Sequence, residues 1–257
     1  KLYNVCTMAQ TFYFMERMVK VKVLAVDTSA SVAAVAVMED YRLLGEYIIN
    51  HKKTHSQKLM PMIHEMMNNL DLKPGDIDLY AASVGPGSFT GLRIGVTTVK
   101  AMAYAAGRPV ASVPTLDALA YNIPVSEFII CPMMDARNRQ VYTALYTWKE
   151  GRLKRLTEHM GVPVEELLEI IRQKDGKIMF NGDAAPLYED FFKKELGDRC
   201  EIAPAGLILQ RASSVAHAAI INASEGLTEN CFDMIPFYLR KSQAEREYDK
   251  KSCAPER

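Results

Sequence analysis

The sequence predicts two α/β lobes, each a sheet covered by helices. Three observations carry this. Strand-like and helix-like segments alternate from Val21 to Ser224, as they do when helices cover a sheet. A strand ending in aspartate, then a turn and a return strand, occurs twice, at Asp27 and at Asp135. Pro114 and Pro124 mark the boundary region between the two halves. With 257 residues, 49% of them apolar, the chain can bury one large core or two modest ones.

Val21–Val26, Ser31–Val37 and Leu43–Ile49 read as three strands in quick succession, with Asp27-Thr28-Ser29 and Glu39-Asp40 as turns. A helix over Thr54–Leu70 follows, capped by Thr54 with Gln57 three residues on. Ile77–Val84 is a strand, and Thr90–Ala106 a long helix. Between them lies Val-Gly-Pro-Gly-Ser-Phe-Thr-Gly-Leu-Arg-Ile-Gly at 84–95. Gly85 and Gly87 permit positive φ, Pro86 fixes the turn, and Ser88 or Thr90 caps the helix. Two readings stand: an anion-binding helix start, or a tight strand-to-helix turn with close packing. The stretch is neither a P-loop nor a dinucleotide fingerprint.

A short strand Val110–Val113 and helix Thr115–Tyr121 complete the first half. The second half opens with a hairpin, Phe128–Met134 returning as Val141–Tyr146. Helix Pro163–Gln173, strand Lys177–Asn181, helix Ala184–Glu195 and helix Leu207–Ser224 follow. The expected organisation is a lobe over 21–122, a lobe over 123–240, and two flanks. Lys1–Lys20 reads as an extension outside the fold, with Met15 or Met18 a biological start, or as a short amphipathic arm. Lys241–Arg257 reads as a disordered charged tail.

Composition narrows the function classes. Lys+Arg and Asp+Glu both number 31, so no global charge holds the chain to nucleic acid, which leaves room only for a local patch. The 5 cysteines are odd in number and scattered, with no Cys-x-x-Cys, which predicts reduced thiols in a cytoplasmic protein and no thiolate zinc site. No apolar run is long enough for a membrane span.

Catalysis would be sought first at Asp27 and Asp135. Each either orients metal or water at a hairpin mouth, or bonds its own turn amides. The Asp27 turn lacks the glycine of the usual Asp-x-Gly-x-[Thr/Ser] phosphate turn, which weakens an intrinsic ATPase reading. His51 and His55 have a metal-like spacing, but His51 falls before the helix; His55 and His64 lie on opposite helix faces. No intrinsic metal site is expected, and no residue is assigned a catalytic role. On the helix 90–106, Arg93, Thr97, Lys100 and Tyr104 form a narrow polar wedge, leaving a non-polar arc of roughly 220°, against ~100° for a helix lying on one sheet. Such a helix buries two faces. The first helix adds an apolar arc rich in methionine, an adaptable contact surface. Both helices either bury everything within their lobe or present a face to a partner.

Several segments, in order, resemble the bacterial TsaB family, also called YeaZ, of the glycoprotease-like branch of the actin/Hsp70 (ASKHA) superfamily. They are Val-Leu-Ala-Val-Asp-Thr-Ser (23–29), His-Ser-Gln-Lys-Leu-Met-Pro (55–61), the glycine-rich 84–95, Met-Asp-Ala-Arg-Asn-Arg-Gln-Val-Tyr (134–142), Asn-Gly-Asp-Ala (181–184) and Pro-Phe-Tyr-Leu-Arg (236–240). The resemblance covers about Val21 to Arg240. It implies two actin/Hsp70-like, ribonuclease H-like lobes with a duplicated β-hairpin-plus-helix plan. It also implies a non-catalytic scaffold for threonylcarbamoylation of adenosine 37 in tRNA, partnered by a TsaD-like transferase and a TsaE-like ATPase, with tRNA reached through the complex. The partner interface, shared with a homodimer, would then comprise Leu59, Met62, Ile63, Met66, Gly91, Gly95, Thr98 and Met102. Turns facing phosphate or nucleotide would be Asp27, Thr28, Ser29, Gly85, Gly87, Ser88 and Asp135, with ATP or ADP at the partner interface and no intrinsic cofactor. The transferase's His-x-x-x-His metal motif is not within the first helix here. Two other readings remain open: a free-standing ATP-dependent phosphotransferase or peptidase of this fold, and a homodimeric binding module.

Overall fold

The computed structural model describes residues 20–51, 55–124 and 126–240. The expected extension apart from Lys20, the Thr54 cap and the charged tail lie outside the described residues.

The first sheet contains β1 (Lys22–Asp27), β2 (Ala33–Glu39), β3 (Arg42–Ile49), β4 (Leu79–Gly85) and β5 (Val110–Pro114), in the order β3-β2-β1-β4-β5. β1, β2 and β3 form an antiparallel meander, and β4 and β5 run parallel to β1. The central strands are apolar at nearly every position because both faces are covered. Leu24 and Val26 of β1, with Tyr80, Ala82 and Val84 of β4, face helices α1 (His55–Asn69) and α2 (Phe89–Ala106). Val23 and Ala25, with Leu79 and Ala81, face the other way.

The second sheet contains β6 (Ile129–Asp135), β7 (Gln140–Thr143), β8 (Tyr146–Lys149), β9 (Arg152–Arg155), β10 (Met160–Pro163), β11 (Ile178–Asn181) and β12 (Cys200–Ile202). Its path is β10-β7-β6-β11-β12, with the β8–β9 hairpin attached to β6. Helices α4 (Val164–Arg172) and α5 (Glu189–Leu196) cover one face, burying Leu167, Ile171 and Phe192 against Cys131, Ile178 and Phe180. Between the sheets lies α3 (Thr115–Tyr121), which gives Ala118 to the first core and Leu116, Leu119 and Ala120 to the second.

Several elements differ from expectation. The return strand expected at Val141–Tyr146 is two strands, broken at Ala144 and Leu145, and β9, β10 and β12 were not foreseen. Each is only 3 or 4 residues long, too short to show a period. The helix expected from Leu207 is two: α6 (Ala205–Ile208) and α7 (Ala212–Ser224). The Glu46 carboxylate accepts from Ser213 N and Oγ at 2.9 and 2.7 Å and pairs with Arg211, fixing the start of α7 from β3. Although it lies beyond residue 123, α7 covers the first sheet, placing Val215, Ala216 and Ala219 against Val23, Ala25 and Ala81. The chain therefore crosses back, and the lobes are not two consecutive stretches.

Candidate functional site

The Asp27 turn is built inward. Asp27, Thr28 and Ser29 are all buried. Asp27 Oδ1 accepts from Ser29 N (2.9 Å) and Ser29 Oγ (2.6 Å), and Oδ2 accepts from Ser83 Oγ (2.5 Å). Burial pushes the Asp27 carboxyl above its ordinary value, against the lowering effect of the Ser29 and Ser83 hydrogen bonds. Of the two readings of Asp27, the geometry is that of a carboxylate bonding its own turn.

The glycine-rich loop closes over this turn. Ser88 N donates to Ser29 O at 2.6 Å, Ser88 Oγ caps α2 by accepting from Gly91 N at 3.2 Å, and Thr28 Oγ1 donates to Gly91 O at 2.7 Å. A β-carbon on Gly87 or Gly91 would lie closer than 3.0 Å to the carbonyl oxygens of Ser29 and Thr28 respectively. Gly85 has φ 126°, as expected, but Gly87 is not among the positive-φ glycines. This corrects the reading of Gly87: close approach of backbone, not handedness, excludes a side chain there. The amides of Ser88 and Gly91 thus already serve the protein's own acceptors, which is the tight-packing reading of the loop.

At the second hairpin, Asp135 is exposed, and its Oδ1 accepts from Arg137 N at 2.8 Å. Arg137, Asn138 and Arg139 all have positive φ, and Arg139 pairs with Glu165 at 2.5 Å. Asp183 accepts from Asp135 N at 3.2 Å, and burial raises its carboxyl. The two hairpin aspartates therefore differ in kind, one enclosed and one solvated.

Among the described residues, no group of three or more His, Cys, Asp or Glu side chains is arranged to hold a metal ion. His51 stands at a bend before α1; His55 Nε2 meets Ala30 O at 2.8 Å and His64 Nε2 meets Asn68 Nδ2 at 3.0 Å. No helix is long and apolar enough to cross a membrane among the described residues.

The expected interface set divides. Leu59, Met62, Ile63 and Met66 are buried in the first core, and Gly91 and Gly95 are buried beneath α2 against Thr28. These six are corrected to internal packing residues, because α1 and α2 lie side by side on one sheet face and spend their apolar arcs there. Thr98 and Met102 remain half-exposed. The outward faces of the same two helices carry Met60, His64, Thr97 and Ala101, all exposed.

The polar wedge on α2 does have a partner within the chain. Residues 229–240 run over it as a strap. Lys100 Nζ donates to Phe232 O (3.2 Å) and Met234 O (2.8 Å), Arg93 Nε donates to Tyr238 Oη (3.3 Å), and Phe89 stacks on Tyr238 with ring centroids 4.7 Å apart. Phe237 N donates to Val84 O at 2.7 Å, beside Gly85. The Pro-Phe-Tyr-Leu-Arg segment thus belongs with the glycine-rich loop. Arg93, Thr97, Lys100 and Tyr104 were legible as a polar stripe, but nothing in sequence spacing assigned residues 229–240 to it. A second cluster escaped sequence reasoning: Asp117 Oδ1 accepts from Tyr146 Oη at 2.6 Å and meets His159 Nε2 at 2.8 Å, with Arg155 at 3.8 Å. Its members come from α3, β8, β9 and the following loop, so no local spacing signals them.

Known proteins share this fold and sequence pattern. A family model described as TsaD, tRNA N6-adenosine threonylcarbamoyltransferase, matches residues 42–248. The chain is 33% identical over 226 residues to the tRNA threonylcarbamoyladenosine biosynthesis protein TsaB of Bacillus subtilis (strain 168), covering 88% of this chain and 97% of the relative. The protein of the same name from Escherichia coli (strain K12) is 27% identical over 226 residues, covering 87% and 96%. A solved Pseudomonas aeruginosa structure, described as an uncharacterized protein with similarity to peptidase YEAZ, superposes with TM-score 0.74 at 24% identity, over 86% of this chain and 100% of that one. At that identity the superposition establishes a shared fold.

Proposed function

The chain belongs to the TsaB (YeaZ) family of the glycoprotease-like, actin/Hsp70-type proteins, and we propose that it acts as the scaffold that docks and activates a TsaD-type transferase through the outward faces of α1 and α2. Its role is that of the non-catalytic partner in threonylcarbamoyladenosine formation on tRNA. The observation that carries the docking assignment is that α1 and α2 pack flat on the sheet and leave Met60 and Ala101 exposed, with Thr98 half-exposed and Met102 partly packed against the core. A flexible methionine beside short side chains lets a partner helix approach and repack against it.

The rest of the assembly follows from the same reading. A TsaE-like ATPase joins the complex, tRNA is engaged through the complex, and a homodimer of this chain uses the same helix faces when the transferase is absent. ATP or ADP binds where the two proteins meet. The enclosed Asp27 turn and the internally bonded 85–91 loop favour a nucleotide held between chains over one held by this chain alone. The test is reconstitution of tRNA modification with the TsaD-like partner, with and without this chain. Modification that proceeds equally well without it overturns the scaffold role.

A further inference from the structure

The β8–β9 hairpin and α7 enclose a cleft of about 450 Å³, within the ~300–1,000 Å³ typical of small-ligand sites. Four rings, Tyr41, Tyr121, Trp148 and His217, line it. Tyr121 meets Trp148 edge-to-face with centroids 5.9 Å apart and His217 at 5.1 Å, and Tyr41 continues the row 5.9 Å from His217. Trp148 is held in place before any ligand arrives, since its Nε1 donates to Ile123 O at 3.2 Å. Tyr41 is 69% exposed, leaving its ring face open. Arg152, from the β8–β9 hairpin, and Asn222 and Glu225, from the C-terminal end of α7 and just beyond it, complete the lining.

The charge around the cleft is local. The chain as a whole is neutral, yet residues 149–155 contain Lys149, Arg152, Lys154 and Arg155 against Glu150 alone. Arg155 is spent on Asp117 and Glu158, whereas Lys149, Arg152 and Lys154 enter no ion pair among the described residues. Lys149 stands opposite Arg152 and Thr147 opposite Lys154, while Trp148 stands opposite Leu153, so alternation along the strands turns Lys149 and Lys154 away from the Trp148 face and leaves Arg152, beside the turn, as the hairpin cation that lines the cleft. Burial lowers the His217 imidazole's pKa, favouring a neutral ring beside its aromatic neighbours.

From this geometry we infer that the cleft binds an unpaired nucleotide of an RNA strand, its base stacked on the Tyr41/Trp148 row, its phosphate at Arg152 and its base edge at Asn222 and Glu225. Stacking on aromatic rings with flanking cations is how unpaired bases are held. An amide and a carboxylate at the edge favour bases carrying an exocyclic amino group. A peptide is the weaker fit, because Leu153 and Ile221 are the only aliphatic side chains among the residues that line the cleft. The inference rests on the reading of this chain as part of a tRNA-modifying complex.

Trp148 is the chain's sole tryptophan, so its emission reports on this cleft directly. The full chain is titrated with a short unstructured RNA oligonucleotide and, separately, with adenosine monophosphate. The expected result is a saturable change in Trp148 emission with the oligonucleotide, weakening as salt rises, and at least tenfold weaker binding of the mononucleotide. Tyr41→Ala and Arg152→Ala, both at exposed positions, should each weaken oligonucleotide binding by at least about fivefold while circular dichroism stays unchanged. No saturable change, undiminished binding in both variants, or tighter binding of the mononucleotide than of the strand overturns the assignment. Because this readout needs no transferase, its failure is separable from failure of the scaffold role, which the reconstitution assay reads.

Discussion

Thr28 fills the space that a side chain on Gly95 would need: its Oγ1 lies closer than 3.0 Å to the position of a Gly95 β-carbon. Thr28 cannot easily turn away, because the same oxygen donates to Gly91 O at 2.7 Å and the residue is buried. The glycines of α2 therefore seat the helix on the β1 turn.

Gly95→Ala should cost about 1–3 kcal/mol, as overpacking does in a filled core, and Gly95→Leu more. Urea denaturation checks both. Thr28→Ala in the Gly95→Ala background should recover part of the loss, and a cycle with no coupling between the two sites would refute the contact. A folded Gly95→Leu protein of normal stability would return this glycine to the surface.

Gly87 tests a different origin for a glycine requirement. Its φ lies outside the left-handed region, so strain in the backbone is not the obstacle; the Ser29 carbonyl is. Gly87→Ala and Gly87→Val should both lower the denaturation midpoint, the cost starting with the first added carbon. If alanine proves neutral and only valine harmful, the close approach of the two turns is not what fixes this position.

The helices and central strands were legible because their patterns are long. Helix α3 matches its expected Thr115–Tyr121 bounds, and α2 differs by one residue at its start. What sequence could not show was direction. The wide apolar arc on α2 suggested two buried faces, whereas its buried valines and Ala103 all enter the one core that α2 shares with α1, and Gly91 and Gly95 look the same whether the neighbour is a foreign helix or the chain's own Thr28. Wheel geometry gives a face without naming what covers it. The strap at 229–240 and the return of α7 to the first sheet are pairings across more than a hundred residues, as in Arg93 with Tyr238 and Glu46 with Ser213. Those contacts depend on topology and leave no local period.

Glu46 joins β3 to α7, with its side chain only 7% exposed and its acceptors spent on Ser213 and Arg211. Glu46→Ala should destabilise the protein by about 2–3 kcal/mol, since it leaves a helix start and a guanidinium without their partner; partial exposure of Arg211 keeps the loss below the ~3–5 kcal/mol of a fully buried pair. Glu46→Gln should lose less. Chemical denaturation of the two variants separates the cap from the charge, and equal losses would assign the whole effect to charge.

The pH dependence of stability should carry the mark of Asp27. Burial raises its folded pKa above the ordinary 3.8, so between those values the folded state binds more protons than the unfolded one. The contribution of this group is fully present below about 3.8 and is lost as pH rises through the folded value. Asp27→Asn removes the titration. The stability difference, wild type minus Asp27→Asn, should therefore be greatest in acid and decline as pH rises to a plateau. Denaturation midpoints of both proteins across that range decide it, and a difference that grows with pH would reverse the sign assigned to burial.

The outward face of α2 is where the docking surface can be separated from the core. Ala101 is exposed, whereas Val99 and Ala103 beside it are fully buried, so a substitution at 101 reaches solvent without entering the lobe. Ala101→Arg keeps a good helix former and should leave stability within ~0.5 kcal/mol. Between two packed helices, however, an arginine must be desolvated and given room that a methyl group did not need. A stable complex buries on the order of 1,600 Å², with a few central residues carrying most of the affinity. Ala101→Arg should weaken binding to the TsaD-type partner by at least about tenfold, or ~1.4 kcal/mol, and should shift any homodimer of this chain toward monomer. Met60→Asp on the facing helix should act in the same direction, while Lys177→Ala, exposed on the second lobe, should change neither. Partner affinity by calorimetry and mass by light scattering read the two effects separately. Undiminished affinity in a folded Ala101→Arg protein would take this helix face out of the interface.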